Sequence, residues 1–241
     1  MGVNQGAFGS RDKRKRSTSM KGTEENRAMI AEETFRNAGD SIGPISPGMH
    51  KFLITRGQFG LIDSILHVLD QIGPSHLSLW SWAVSSYEQK VLARLMADHR
   101  ILSARLIVDV SIVKRAQKGV IAEWAKIFGS DSIRYVISHA KMARIWNDGA
   151  RVLVRGSFNL NFSPRFEQVD ISEGCAGFDL VERIEGELPN LPADKPREIY
   201  AQCQVGSRYE DSLHAKRYGW ADTMQTDGMT VLDTAELGRL S

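Results

Sequence analysis

The chain has 241 residues, of which 42% are hydrophobic, and its 31 Lys and Arg nearly balance 29 Asp and Glu. This length allows one α/β domain with a buried core and excludes two full-sized domains. A net charge of +2 indicates no class of partner by itself, so the placement of charge matters more. The two cysteines, Cys175 and Cys203, form no metal-spaced or disulfide-rich pattern, which is typical of free thiols in a reducing cytoplasm.

The first 48 residues are predicted to form a flexible, basic N-terminal arm. They are rich in Gly, Ser and charge, include a basic run at 11–16, and end in the Gly- and Pro-rich segment 43–48. A weak apolar face predicts a short helix over 24–37. Neither a secretory signal nor a stretch of about 18 apolar residues that could span a membrane is present. We therefore expect a cytoplasmic protein with no membrane contact.

From Lys51 the hydrophobic pattern alternates between short β-like runs and helical runs. The spacing predicts strands at 51–55, 76–82, 105–110 and 133–138 and helices at 60–72, 87–99 and 113–128. Such βαβ repetition predicts an α/β fold with a mixed, mostly parallel sheet flanked by helices. This domain is expected to span residues 49–188.

After these elements the pattern changes to that of antiparallel strands. The remaining elements are predicted as strands at 141–146, 150–155 and 166–171 and a helix at 178–188. The first two of these strands are joined by Asn147-Asp148-Gly149, whose Asp-Gly step predicts a tight hairpin turn. The Pro-containing, weakly periodic segment 189–241 is expected to be a loosely structured C-terminal tail.

Five polar residues lie around the predicted hairpin: His139 and Lys141 at its start, Ser157 and Asn159 after its end, and Glu167 further along. Side chains two residues apart in a strand point to the same face. His139 would therefore pair with Lys141, and Ser157 with Asn159 if that segment stays extended. The hairpin would bring both pairs to the same end of neighbouring strands.

These residue types fit phosphoryl transfer, in which the charge on the phosphate oxygens must be held while nucleophile and leaving group lie in line. Lys141 would supply positive charge, and the Ser157 hydroxyl and Asn159 amide would donate to non-bridging oxygens. A neutral His139 would attack phosphorus, and Glu167 would orient its imidazole. A second imidazole would have to protonate the leaving oxygen, and this half-site does not contain one.

The segments His139-Ala140-Lys141 and Gly156-Ser157-Phe158-Asn159 resemble the H-x-K and G-S-x-N elements of the phospholipase D superfamily. The resemblance implies a phospholipase D-like domain, metal-independent phosphodiesterase activity through a phosphohistidine, and a homodimer that supplies a second His139. The family's Asp normally lies seven residues after the His, where this chain has Trp146, and its expected counterpart is Asp148. The predicted catalytic residues are His139, Lys141, Asp148 and Glu167, and the predicted phosphate ligands are Lys141, Ser157 and Asn159.

Nucleic acid is the expected substrate, because the basic run at 11–16 favours phosphate contacts and no amphipathic membrane anchor is present. DNA rather than RNA is the expected partner. Two alternatives stay open. One is a catalytically inactive nucleic-acid-binding module of the same fold, suggested by the displaced Asp, and the other, a minor one, is a lipid phosphodiesterase. No cofactor or metal is predicted, since the remaining histidines lack metal-ligand spacing. His214-Ala215-Lys216 repeats the H-x-K letters without a following G-S-x-N, and we interpret it as a chance match.

Overall fold

The computed structural model of the protein describes residues 18–24, 27–114, 118–162, 164–195 and 198–199. The strands are β1 (Thr18–Glu24), β2 (Arg27–Glu33), β3 (His50–Thr55), β4 (Ser75–Ser81), β5 (Ile101–Asp109), β6 (Ile133–Val136), β7 (Met142–Trp146), β8 (Arg151–Gly156) and β9 (Glu167–Glu173). The helices are α1 (Ala38–Ile42), α2 (Leu61–Ile72), α3 (Ser86–Ala97), α4 (Lys118–Phe128) and α5 (Ala176–Glu187).

The nine described strands form one sheet in the order β1-β2-β3-β9-β8-β7-β4-β5-β6. Six strands share one direction, while β1, β7 and β9 run against them. The predicted mixed α/β sheet flanked by helices is confirmed. Antiparallel pairings outnumber parallel ones because the β7–β8 hairpin and β9 are inserted between β3 and β4.

The two faces of the sheet carry separate apolar clusters, because successive side chains of a strand alternate between faces. On one face, Leu77 and Leu79 of β4 belong to the larger cluster, which also includes residues of α2, α3 and α4. On the other face, Trp80 joins Phe178 and Val181 of α5. No helix among the described residues is both long and apolar enough to cross a bilayer.

The helices begin where the sequence supplies caps. Asp63 accepts a hydrogen bond from the Gly60 amide at 2.7 Å at the start of α2, and the Ser85 hydroxyl accepts from the Tyr87 amide at 3.2 Å at the start of α3. Such caps satisfy amides that have no partner within the helix. The predicted helices of this region are confirmed to within a few residues.

The helix predicted over 24–37 is wrong, since Arg27–Glu33, half of this segment, form β2. Ile30 pairs with Lys51 and Glu33 with Ile54, so β2 lies parallel to β3. The open edge of β3 offers backbone hydrogen bonds that a weakly amphipathic sequence cannot match as an isolated helix. The domain boundary predicted at residue 48 lies between β2 and β3. These two strands pair with each other, so the sheet extends across that boundary.

The chain divides into two units, residues 1–194 and 195–241. The basic run at 11–16 and most of the predicted tail, including Cys203 and the His214-Ala215-Lys216 segment, lie outside the described residues. For the residues that are not described, the flexible arm at 1–48 and the loosely structured tail at 189–241 remain predictions.

Candidate active site

The candidate site lies at the end of the sheet where β3, β4, β5, β6 and β8 finish and where β7 and β9 begin. Open α/β sheets usually place their ligand sites beyond the carboxyl ends of the parallel strands. The hairpin brings its two ends together here, since the Gly156 amide donates to the Lys141 carbonyl at 3.2 Å. The two motif segments are therefore neighbours, as predicted from the hairpin.

His139 and Lys141 form the first pair. The Nζ of Lys141 lies 3.1 Å from Nδ1 and 3.5 Å from Nε2 of His139, and it donates to the His139 carbonyl at 2.8 Å. His139 is exposed, whereas Lys141 is only 9% exposed. Burial lowers the pKa of Lys141 below its ordinary value, and the nearby Glu167 carboxylate opposes this shift. The pair thus places a partly desolvated cation directly against an accessible imidazole.

Ser157 and Glu167 form the second pair. The Ser157 hydroxyl donates to the Glu167 carboxylate and accepts from the Gln168 amide at 3.1 Å. The Ser157 amide in turn donates to the Gln168 carbonyl at 3.2 Å. Glu167 was predicted to orient the His139 imidazole, but its hydrogen bond goes to Ser157, and it acts on Lys141 through charge. Glu167 therefore ties the end of β8 to the start of β9 within the cluster.

Asn159 holds the loop that follows β8. Its Oδ1 accepts a hydrogen bond from the Trp82 amide at 3.2 Å, and the next residue, Leu160, donates its amide to the Ser81 hydroxyl at 2.9 Å. The chain has left the sheet at this point, so the alternation predicted for Ser157 and Asn159 does not apply. With Oδ1 engaged, the amide nitrogen of Asn159 makes no hydrogen bond to the described residues and is available to donate to a phosphate oxygen.

The close approach of β8 and β9 explains why residue 156 is a glycine. A Cβ at this position would lie 2.5 Å from the Gln168 carbonyl oxygen. Any larger residue would push β8 and β9 apart and displace Ser157 from Glu167. Glycine is required for strand packing that positions the cluster.

Two further residues position the His139 segment, and for Asp109 no role in the site was predicted. Asp109, at the end of β5, accepts from the Ser138 amide at 3.0 Å and from the Ser111 amide at 2.9 Å. Trp82 contacts the His139 ring, with 5.8 Å between centroids and a tilt of 59°. A carboxylate at the end of a buried strand was the signal available for Asp109, whereas the Trp82 contact depends on two distant loops.

Asp148 is not brought into this cluster. It is exposed in the turn that joins β7 to β8, at the opposite end of the hairpin from Lys141. A five-residue strand is about 17 Å long, so the carboxylate cannot touch the imidazole. The turn depends on Asn147 instead, because its Oδ1 accepts from the Gly149 and Ala150 amides at 2.9 and 3.1 Å. The hairpin is confirmed, and the geometry gives Asp148 no role in the chemistry.

Within the described part of the chain, no group of three or more His, Cys, Asp or Glu residues is arranged to hold a metal ion. Three other described histidines are engaged elsewhere. His50 contacts Asp170 at 3.0 Å, His76 contacts Ser103 at 2.8 Å, and His67 contacts the Gly43 carbonyl at 2.7 Å.

No protein-family model matches the sequence, and no curated protein matches it. Phosphatidylserine synthase of Haemophilus influenzae Rd KW20 is 14% identical with a TM-score of 0.40, and the match covers 57% of this chain and 37% of the synthase. TrmBL2, an archaeal chromatin protein with a novel mode of DNA binding, is 12% identical with a TM-score of 0.33, covering 56% of this chain and 50% of that protein. Likenesses this slight assign neither a family nor an activity.

Proposed function

We propose that this chain is a metal-independent phosphodiesterase of phospholipase D type that cuts nucleic acid, with DNA preferred over RNA, through a phosphohistidine on His139. The observation that carries the proposal is the Nζ of Lys141 at 3.1 Å from an exposed imidazole. The Ser157–Glu167 pair and the amide of Asn159 border the same sheet end. A cation, the neutral Asn159 donor and a nucleophile fit phosphodiester cleavage. The Ser157 hydroxyl, which was predicted to donate to phosphate, donates to Glu167 instead.

In the proposed first step, a phosphodiester displaces the imidazole from Lys141, and its non-bridging oxygens accept from Lys141 and the Asn159 amide. The freed imidazole nitrogen attacks phosphorus, so that an N–P bond forms as the P–O bond to the leaving alkoxide breaks. A second, protonated imidazole gives its proton to the leaving oxygen. That imidazole then removes a proton from water, whose oxygen attacks phosphorus and breaks the N–P bond.

The second imidazole is proposed to come from another copy of the chain. Among the described residues, one copy contributes a single imidazole to the cluster, because His50, His67 and His76 have their contacts elsewhere and His99 lies before the start of β5, at the other end of the sheet. A homodimer that faces two sheet ends toward each other would supply both histidines. Sedimentation equilibrium is expected to give twice the chain mass, and full activity of a strict monomer would contradict this proposal.

An inactive nucleic-acid-binding module is the second candidate. It is favoured by the Lys141 ammonium, whose contact with the imidazole at 3.1 Å must be broken before the imidazole can attack phosphorus. Such a module would hold phosphate with Lys141 and Asn159 without cutting the chain.

The two candidates are separated by incubating wild-type and His139→Ala protein with labelled single- and double-stranded DNA and RNA in EDTA. We expect cleavage by the wild type and a loss of at least about 10³-fold in the variant, as for other nucleophile deletions. A Leu180→Ala variant, changed at an exposed residue of α5, is the matched control and retains activity. Binding without cleavage by the wild type would establish the inactive module instead.

A further inference from the structure

Exposed aromatic side chains are concentrated beside the candidate site. Among the described large apolar residues that are exposed, the three aromatic ones are Tyr87 at 68%, Phe162 at 62% and Phe166 at 64%. The two aliphatic ones, Leu102 at 50% and Leu180 at 51%, lie at the start of β5 and on α5, away from the site. The three exposed aromatics belong instead to the connection from β8 to β9 and to the start of α3, which flank the candidate site, and exposed rings in such a position are typical of a binding surface.

The first two aromatics are held beside Asn159. Phe162 follows Asn159 by three residues, and its backbone amide forms a hydrogen bond with the buried Glu88 carboxylate. Tyr87 immediately precedes Glu88 at the start of α3. Phe162 and Tyr87 therefore lie on neighbouring segments, the loop after β8 and the start of α3, which are joined where the Ser85 amide donates to the Leu160 carbonyl at 2.9 Å.

Phe166 lies on the other side, immediately before Glu167. The Arg56 guanidinium stacks over its ring at 4.7 Å and is itself paired with Glu33 at 2.7 Å. The backbone just before Phe166 also packs closely against Gly57. A Cβ at position 57 would lie only 2.6 Å from the Pro164 Cα. Phe166 is thus exposed yet held in place, and the preceding residue, Arg165, is an exposed cation.

We propose that Tyr87, Phe162 and Phe166 form a platform on which unpaired bases stack, so that the substrate is single-stranded nucleic acid. The inference rests on the proposed function and narrows its substrate. Aromatic rings interleaved with cations such as Arg165 and Lys141 fit a strand whose bases stack while its phosphates meet positive charge. Bases within a duplex are already stacked and paired and cannot use such a platform without being flipped out.

The test measures binding rather than turnover, in a His139→Ala background that cannot consume the ligand. Fluorescence anisotropy compares a labelled single-stranded 12-nucleotide DNA, the same strand made abasic, and the duplex. Phe162→Ala and Phe166→Ala are each expected to weaken binding of the base-containing strand about tenfold, the size of one lost stacking contact. Phe166→Trp is expected to keep the affinity, and Leu102→Ala and Leu180→Ala serve as controls with equally exposed apolar side chains.

Three results would overturn the platform. Equal affinity of parent and Phe variants for the base-containing strand would show that the rings contact no base. Equal losses on the abasic strand would show that the changes act on phosphate binding. A shift of Phe162→Ala and Phe166→Ala from dimer to monomer in sedimentation, at unchanged affinity, would identify the rings as a contact between copies.

The platform and the proposed function fail separately. Hydrolysis of methyl p-nitrophenyl phosphate by the wild type requires the His139 cluster and no base stacking. Absence of that hydrolysis with intact base-dependent binding would contradict the phosphodiesterase and leave the platform standing. Hydrolysis without base-dependent binding would contradict the platform alone.

Discussion

The β7–β8 hairpin carries two polar clusters that differ in access to solvent. Beneath α5, Arg144 of β7 and Glu185 lie 3.1 Å apart with side chains only 4% and 1% exposed. Ser78 and Trp80 both donate to Glu185 Oε1 at 2.8 Å. The second cluster lies at the sheet end and includes Lys141, three residues before Arg144. Lys141 contacts the exposed His139, whereas Arg144 contacts a buried carboxylate.

This difference in solvent exposure distinguishes charged groups that stabilise the fold from charged groups that can bind a ligand. Arg144 has carboxylates within 3.2 Å, and its guanidinium lies 4.6 Å from the ring centroids of both Trp146 and Phe178. In the candidate site, the His139 side chain is exposed, and the amide nitrogen of Asn159 has no hydrogen-bond partner among the described residues. Perturbed charge beside unused donors in an accessible position is typical of a functional site, whereas mutually paired buried charge is typical of structure.

Removing the buried carboxylate is expected to have the largest effect on stability. Glu185→Ala leaves Arg144 buried beside only the half-exposed Glu182, and breaking a buried pair in this way costs about 3–5 kcal/mol in the free energy of unfolding. Urea denaturation measures the loss, with Glu187→Ala on the exposed face of α5 as control. A loss of unfolding free energy below about 1 kcal/mol would show that the Arg144–Glu185 pair contributes no more than a surface ion pair does.

Lys141→Met is expected to reduce activity without reducing stability, the opposite of Glu185→Ala. Activity is expected to fall about 10²–10³-fold, because a charge on the phosphate is lost, while stability at neutral pH does not fall. The pKa of Lys141 is lowered in the folded protein, so the unfolded chain binds more protons between that pKa and 10.5, and wild-type stability rises with pH across this window. Thermal melts from pH 7 to 10.5 should show a shallower rise in Lys141→Met, and unchanged activity would contradict the assigned role.

The charge of Glu167 is expected to shift the pH profile of activity. Its carboxylate raises the pKa of Lys141 against the lowering by burial, so Glu167→Gln should lower that pKa further. The alkaline limb of the kcat/KM profile would then move to lower pH, since the cation is lost earlier. Glu173→Gln, at the far end of β9, is the control, and an unmoved limb in Glu167→Gln would show that Lys141 does not set it.

The turn of the hairpin should give the smallest effects. Asn147→Ala removes the acceptor for two turn amides and is expected to cost about 1 kcal/mol of stability, while Asp148→Ala should change stability by less than about 0.5 kcal/mol and leave activity intact. Paired thermal melts and EDTA assays check both variants. A large loss of activity in Asp148→Ala alone would restore a catalytic role to that carboxylate.

Local patterns predicted most elements of the sheet region. The helical spacing at 60–72 and the β-like run at 51–55 reappear as α2 and β3 with bounds that differ by one residue. The Asp-Gly step likewise predicted the hairpin that brings His139 near Ser157. These features depend on neighbours in sequence, which is why the sequence alone sufficed.

Long-range pairing could not be predicted in the same way. The segment of β2 forms a strand because β3 offers an edge, which no local pattern reveals. The Asn159 bond to Trp82 joins residues 77 positions apart, and the Glu167 bond to Ser157 depends on the close approach of β8 and β9 at Gly156. Motif letters therefore identified the residues of the cluster but not their hydrogen-bond partners.

The most direct test of the account is to detect the covalent intermediate on His139. Wild-type protein in excess is mixed with single-stranded DNA in EDTA, quenched in alkali, in which phosphohistidine survives, and digested for peptide mass spectrometry. We expect a nucleotide adduct joined by an N–P bond to the peptide that contains His139, absent from His139→Ala. Cleavage with no adduct, and equal cleavage by His139→Ala, would contradict it.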